Sequence, residues 1–406
     1  MVPPMKQQLE SQPTPPSSIL PQPTGGVQAG VVTAPHPPWE SLLPAPFPQS
    51  EYAKPWRRVV AEAIRDPDEL CGLLRLPTRY AETARKAGGT FPLLLPRTLL
   101  PRIQPGDPND PVLRQFLAAE EELTPHHGFT RDPLAECIAS PVPRVLAKYP
   151  TRLLMLTVGG CPVHCRYCFR RHLPYDELIR SPSTPRGSGS VGIGQDAACG
   201  PARGSESQPD QLLAPETLRF LESRTDCKEV ILSGGEPLLL EDSRLESLIH
   251  RISQIPHISR IRIHTRMPVV IPQRVTGGFL AAMKSTRLTP IVVLHVNHPQ
   301  ELDNQVANAA SQMADAGIPL LSQGVLLAGI NDRVEVLREL YDRLADIRVI
   351  PYYLHQLDRV EGAGHFEVPV HVGRGLIDQL RAVLPGYMVP KYVRESPDVP
   401  YKVPLA

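Results

Sequence analysis

Arg152-Leu-Leu-Met-Leu-Thr157-Val-Gly-Gly160-Cys161-Pro-Val-His164-Cys165-Arg-Tyr-Cys168-Phe-Arg170-Arg171 is the stretch from which the rest of this chain can be read. Its opening run, Arg152 to Thr157, is almost continuously apolar, as in a strand covered on both faces. Two glycines follow it, and then three cysteines at x3 and x2 spacing. Three thiolates so spaced can hold three corners of a cubane [4Fe–4S] cluster, whereas a simple electron-transfer cluster uses four. The missing fourth ligand leaves one iron open to bind a substrate or cofactor. The competing reading is a structural zinc site, which wants four N/S ligands and paired C-x-x-C spacing. Here there is one C-x-x-C, with His164 as the nearby extra ligand. The spacing favours Cys161, Cys165 and Cys168 as cluster ligands.

Outward from this run, apolar strands alternate with helices. Further strands are expected at Glu229-Val-Ile-Leu-Ser233, Arg260-Ile-Arg-Ile-His264, Ile291-Val-Val-Leu-His-Val296, Pro319-Leu-Leu-Ser-Gln323 and Arg348-Val-Ile-Pro-Tyr-Tyr353. Between them lie helical stretches such as 244–252 and 305–316, the latter stopped by Gly317. This alternation predicts an α/β fold with a parallel sheet covered by helices. Six such repeats make an open, partial (β/α)6-type barrel, whose active site lies at the C-terminal ends of the strands. The cysteine loop follows the first strand, where that rule puts chemistry.

The flanks differ in composition. Residues 1–50 hold 13 of the 48 prolines, and a segment so poor in large apolar groups is expected to be disordered. From Trp56 the chain turns globular, with a helix expected from Val59 to Arg65, stopped by Asp66-Pro67, and short helices and loops through the Pro-punctuated region 90–145. Residues 181–211 are Gly/Ser/Pro-rich and read as a flexible surface insertion, with Cys199 an incidental thiol within it. The expected organisation is a tail over 1–55, an N-terminal helical region over 56–145, the barrel over 146–380 and a C-terminal segment over 381–406. Net charge is +1, from 43 Lys+Arg and 42 Asp+Glu, so bulk electrostatics predict no nucleic-acid partner and no anionic-membrane partner. No apolar run reaches the roughly 18 residues of a membrane span. Seven cysteines, three of them in one loop, argue against a disulfide framework and for a cytoplasmic, reducing setting.

A second motif, Ser233-Gly234-Gly235-Glu236-Pro237, directly follows the strand at 229–233. Two glycines there let the backbone approach a ligand closely, and carbonyls with a carboxylate can accept from an ammonium group. With this motif one β/α unit after the cysteine loop, the chain resembles the radical S-adenosylmethionine (SAM) superfamily. That resemblance implies that the open iron chelates SAM, that Gly234, Gly235 and Glu236 hold its amino group, and that reductive cleavage yields a 5′-deoxyadenosyl radical.

From Ile64 onward the chain is similar to the lysine 2,3-aminomutase family, and within it most like members that make (R)-β-lysine for elongation factor P. The matching runs include Asp66-Pro-Asp-Glu-Leu70, Asp110-Pro-Val-Leu-Arg-Gln115, the whole cysteine loop through Tyr175, Arg262 to Pro272, Val296-Asn-His-Pro299, Pro351-Tyr-Tyr-Leu-His355 and Gly386 to Lys391. The resemblance implies pyridoxal 5′-phosphate (PLP) as a further cofactor, carried by Lys402 in Tyr401-Lys402-Val403-Pro404, seven residues after Glu395; Lys391 is the competing lysine. It implies Lys148, Tyr149 and Arg152 as partners of the PLP phosphate, and His295 and Gln323 as SAM contacts. Arg170 would pair the substrate's carboxylate through its planar fork. Asp358 and Glu395 would take the side-chain ammonium of lysine. The chain ends four residues after Lys402, where longer free-lysine aminomutases continue, which favours the elongation-factor subgroup.

The expected function is therefore 2,3-amino migration turning L-α-lysine into (R)-β-lysine, with an external electron donor for the cluster and a homo-oligomer as an open possibility. Two other readings stay open at this point. One is a free-lysine, or other amino acid, aminomutase of catabolism or osmolyte synthesis; the other is a non-catalytic iron–sulfur protein.

Overall fold

The computed structural model describes residues 52–89, 91–179 and 212–406. The expectations for the tail up to Glu51, for 181–211 and for Cys199 lie outside them. Among the described residues nine strands form one sheet in chain order: β1 (Val145–Leu146), β2 (Arg152–Val158), β3 (Glu229–Gly234), β4 (Arg260–Thr265), β5 (Thr289–His295), β6 (Leu320–Leu326), β7 (Ile350–Gln356), β8 (Lys391–Arg394) and β9 (Val403–Pro404). From β3 to β8 each strand lies parallel to its predecessor. The two-residue strands β1 and β9 add antiparallel at the two edges. The six expected strands appear as β2 to β7. The seventh parallel strand, β8, was not expected: its four residues expose Lys391 and Arg394 and bury Tyr392 and Val393, too short a run for a periodic signal.

Helices join successive parallel strands and cover the outer face. The helix Asp242–Ser253 buries Leu245, Leu248, Ile249 and Ile252, the stripe that a 3.6-residue period lays against a sheet. Asp303 caps the helix Asn304–Asp315 by accepting from the amides of Gln305 and Val306. Side chains alternate faces along each strand. On β4, Ile261 and Ile263 are fully buried, while Arg262 and His264 line an internal cavity.

The N-terminal region departs from expectation in one respect. Its first helix spans Trp56–Ala61, because Ile64 leaves helical geometry to exchange backbone hydrogen bonds with Leu95 at 2.8 and 3.0 Å. Asp66 then caps a second helix, Pro67–Leu73, accepting from the Asp68 amide. Pro67 sits at its first position, where a missing N–H costs nothing. Short 3₁₀ turns at Arg97–Arg102, Leu113–Gln115 and Glu120–Leu123 occupy the Pro-punctuated stretch. Among the described residues no helix is long and apolar enough to cross a membrane.

The sheet is curled, because one cavity touches β2 through β7 and also the connectors at both edges. Among the described residues no backbone ladder joins β1 to β9. Side chains close the gap instead. Lys148 and Tyr149, in the β1–β2 connector, both donate to Glu395, in the β8–β9 connector. The result is an open parallel barrel whose two edge hairpins meet through one carboxylate.

Candidate active site

The cavity inside the barrel has a volume of about 290 Å³ and is lined by every site residue expected from the sequence. Lys391 is not among its lining residues; it is exposed on β8. β2 is seven residues long, so about 20 Å of strand separates the cysteine end of the barrel from Arg152.

At the cysteine end, Cys161, Cys165 and Cys168 are half-buried on the wall. The Gly234-Gly235 turn packs backbone to backbone on the Gly159-Gly160 segment that precedes them. Gly235 N donates to Val158 O and Glu236 N to Gly160 O, each at 2.8 Å. A Cβ on Gly235 would lie 2.1 Å from the Gly160 carbonyl oxygen, and Gly234 sits at φ 127°. These glycines therefore let the turn approach the cysteine loop, a role beyond the ligand approach read from the sequence. Glu236 is buried, and its carboxylate accepts from Thr265 Oγ1 (2.6 Å), Arg266 N (2.9 Å) and Leu238 N (3.0 Å). It ties the end of β3 to the end of β4.

His164, the extra ligand of the zinc alternative, bonds the Pro92 carbonyl through Nδ1 at 2.8 Å and stacks on Phe91. Burial drives its pKa down to about 4. Among the described residues no three His, Cys, Asp or Glu side chains converge as a single-ion site. The cysteine wall has a donor aimed at it: Arg266 Nη1 lies 2.8 Å from Cys165 Sγ. Three thiols beside a cation and a Gly-Gly turn suit an anionic cluster with one open corner.

Midway, His295 and Gln323 are register partners on β5 and β6. His295 Nε2 is 2.8 Å from Tyr167 OH. Burial, followed by the charge of Arg266, lowers its pKa to about 3, so it is a neutral hydrogen-bonding group.

At the other end Glu395 accepts from Lys148, Lys402 and Tyr149 (2.6 Å for the last). Burial pushes its pKa up, but the Lys402 charge and these three donors outweigh it and hold it at about 2. The Arg152 guanidinium lies 3.7 Å over the Tyr149 ring. Arg262 Nε and His264 Nε2 line the same cavity as buried groups without hydrogen-bond partners. Cations, an amine held by a carboxylate and unsatisfied polar atoms are what a phosphorylated carbonyl cofactor needs.

Two substrate expectations meet complications. Arg170 forks onto Glu136, Nε and Nη2 each 2.7 Å from a carboxylate oxygen, and its Nη1 donates to Ser233 Oγ at 3.1 Å and Gly234 O at 3.3 Å. Its fork is thus already engaged. Glu395 is likewise held by the two lysines, which leaves Asp358 as the expected acid without such a clamp. Burial raises the Asp358 carboxyl to about 7, with Lys402 pulling the other way.

Glu136, Arg262, His264, Arg266, Tyr353 and His355 also line the cavity and were not singled out from the sequence. Polar residues at alternate positions, as in Arg262-Ile-His264 and Tyr353-Leu-His355, were the available signal. In a parallel strand the inward alternation is polar only where it faces a wet cavity.

Residues 150–265 match a family model described as a 4Fe-4S single cluster domain. The chain is 38% identical over 347 residues to the L-lysine 2,3-aminomutase of Haemophilus influenzae, covering 86% of this chain and 94% of that one. It is 37% identical to the Escherichia coli K12 protein of the same name, with the same coverage. It is 34% identical to that of Clostridium subterminale, covering 86% of this chain and 77% of that one. A SAM-bound Streptococcus suis SuiB structure is similar at 13% identity and TM-score 0.40 over 61% of this chain and 51% of that one, a likeness too slight to carry an argument. The chain belongs to the lysine 2,3-aminomutase family, isomerases of the radical SAM type that work with a [4Fe–4S] cluster, SAM and PLP.

Proposed function

We propose that this protein converts L-α-lysine to (R)-β-lysine and that the product serves the modification of elongation factor P in the cytoplasm. In the net reaction the C2–N bond breaks, a C3–N bond forms and one hydrogen moves from C3 to C2. No oxidant is consumed. The observation that carries the reading is that one cavity holds three cysteines at one end and, at the other, a lysine paired to a carboxylate beside Lys148, Tyr149 and Arg152.

Cys161, Cys165 and Cys168 hold the cluster in this reading, with Gly234, Gly235, Glu236, His295 and Gln323 around SAM. Lys402 carries PLP, and Lys148, Tyr149 and Arg152 take its phosphate. Bound there, the cluster with SAM supplies a radical that removes hydrogen from C3, and PLP supplies the π-system through which nitrogen migrates. The chain's own groups position the substrate. Arg170 anchors the carboxylate once Glu136 yields part of its fork, and Asp358 with Glu395 faces the ε-ammonium. Closure of the barrel by Glu395 keeps bulk water from the radical.

The test is anaerobic reconstitution with iron, sulfide, PLP and SAM, then chiral analysis of the product from L-lysine. (R)-β-lysine that the elongation factor P-ligating enzyme accepts supports the reading. No amino migration on lysine sinks it, and migration on a different amino acid moves the substrate assignment.

A further inference from the structure

Arg266 follows β4 directly and turns its guanidinium toward the cysteine loop. Nη1 donates to Cys165 Sγ at 2.8 Å and to Tyr167 OH at 2.6 Å. Nη2 donates to Gln115 Oε1 and Glu301 Oε2, both at 2.6 Å. Arg266 is 6% exposed and Glu301 fully buried.

The acceptors are themselves fixed. Glu301 Oε1 accepts from the amides of Asn297 (2.9 Å) and His298 (3.0 Å). Asn297 Nδ2 donates to Tyr167 OH at 2.7 Å, and the Phe116 ring lies 4.7 Å from the guanidinium carbon. The Arg266 amide also holds Glu236. An ion pair between Arg266 and Glu301 alone would account for a buried arginine. It would not account for a third direction of donation, onto a sulfur.

We propose that Arg266 sets the reduction potential of the cluster through its Nη1–H···Sγ hydrogen bond to Cys165. The inference rests on the reading that Cys161, Cys165 and Cys168 hold a [4Fe–4S] cluster. One electron from an external low-potential donor takes the cluster from the 2+ to the 1+ state; no bond is made or broken at Arg266 and no proton moves. Added negative charge is shared by the thiolate sulfurs, so a charged donor on one of them favours the reduced state and raises the potential. Glu301 cancels the long-range charge of Arg266, while the directed N–H remains. In a dry site such a bond is strong. Arg266 is thus a positioning residue that acts through Cys165.

The experiment uses the full chain reconstituted with iron and sulfide, as wild type, Arg266→Lys and Tyr167→Phe, each first analysed for iron and sulfide. An EPR-monitored redox titration without SAM then gives the midpoint. Lysine cannot reach the sulfur while serving Gln115 and Glu301, so Arg266→Lys should move the midpoint negative by on the order of 59 mV, a tenfold change in a one-electron equilibrium. Tyr167 OH also interacts with Cys165, so Tyr167→Phe removes one contact of that sulfur while the charged Nη1 donor stays, and should shift the midpoint by less than Arg266→Lys does. A Tyr167→Phe shift as large as that of Arg266→Lys, or an unchanged midpoint in a fully loaded Arg266→Lys, overturns the proposal. Should either variant lose its cluster, wild type made with guanidino-¹⁵N arginine decides. A ¹⁵N coupling to the reduced cluster in pulsed EPR is expected, and its absence overturns the proposal. A wild type that binds no four-iron cluster fails earlier, at the cluster reading itself.

Discussion

Lys402 and Lys391 show how far one residue's surroundings separate two chemically identical side chains. Lys402 lines the cavity and pairs with Glu395, whereas Lys391 is exposed on β8. Lys402→Ala should abolish the visible absorbance of protein-bound PLP and essentially all aminomutase activity, with the cluster retained, while Lys391→Ala keeps all three. Borohydride reduction and peptide mapping check the attachment point, and an adduct on Lys391 would reverse it. Asp358 gives a pH prediction. Its folded-state carboxyl sits near 7 against 3.8 for an unperturbed group. The fold therefore binds this proton more tightly than the unfolded chain does, and stability is lost as pH rises through that window. In cofactor-free protein Asp358→Asn should melt above wild type at pH 8, with the gap narrowing toward pH 5. A substrate ammonium reverses the preference, because it binds the ionised carboxylate. Lysine binding to PLP-loaded enzyme should weaken about tenfold per pH unit below 7, a limb absent from Asp358→Asn. That variant should bind lysine at least about tenfold more weakly at pH 8, for a charge-assisted hydrogen bond of roughly 1.5–3 kcal/mol. Flat binding across pH 6–8 in wild type would refute the role.

At the scale of elements, the strands from β2 to β7 were legible because continuous apolar runs are the mark of a strand covered on both faces. What was not legible was β8, whose four residues depend on β7 for their register, and the early end of the first helix, set by the distant partner Leu95. The site followed the same division. Cys161, Cys165, Cys168 and the Gly-Gly-Glu turn stand out because their spacing is local. The pairing of Glu136 with Arg170, 34 residues apart, leaves no local trace. The two glycines had a second meaning that only packing shows. Gly235→Ala should lose the cluster although no ligand is altered, because its Cβ would meet the Gly160 carbonyl at 2.1 Å. Iron content after reconstitution measures this, with Cys71→Ala and Cys227→Ala as controls that remove thiols without loss of iron.

At the largest scale, the decisive feature is that among the described residues backbone ladders stop short of closing the barrel and Glu395 spans the remaining gap. Its pKa near 2 means that no ordinary acidity opens the junction. What can tighten it is the cofactor of the proposed reading, since PLP carried by Lys402 with its phosphate on Lys148 and Tyr149 would tie the same two connectors together a second time. Limited proteolysis should cut the 395–402 connector faster in cofactor-free protein than after PLP is added. Equal rates would mean that the cofactor does not engage this junction. The sheet from β2 to β8 is meanwhile held by its own parallel ladders and covering helices. Acquiring the fold and acquiring the cofactors are thus separable in time: the staves stand first, and the vessel is filled and then tightened through its last side-chain hoop.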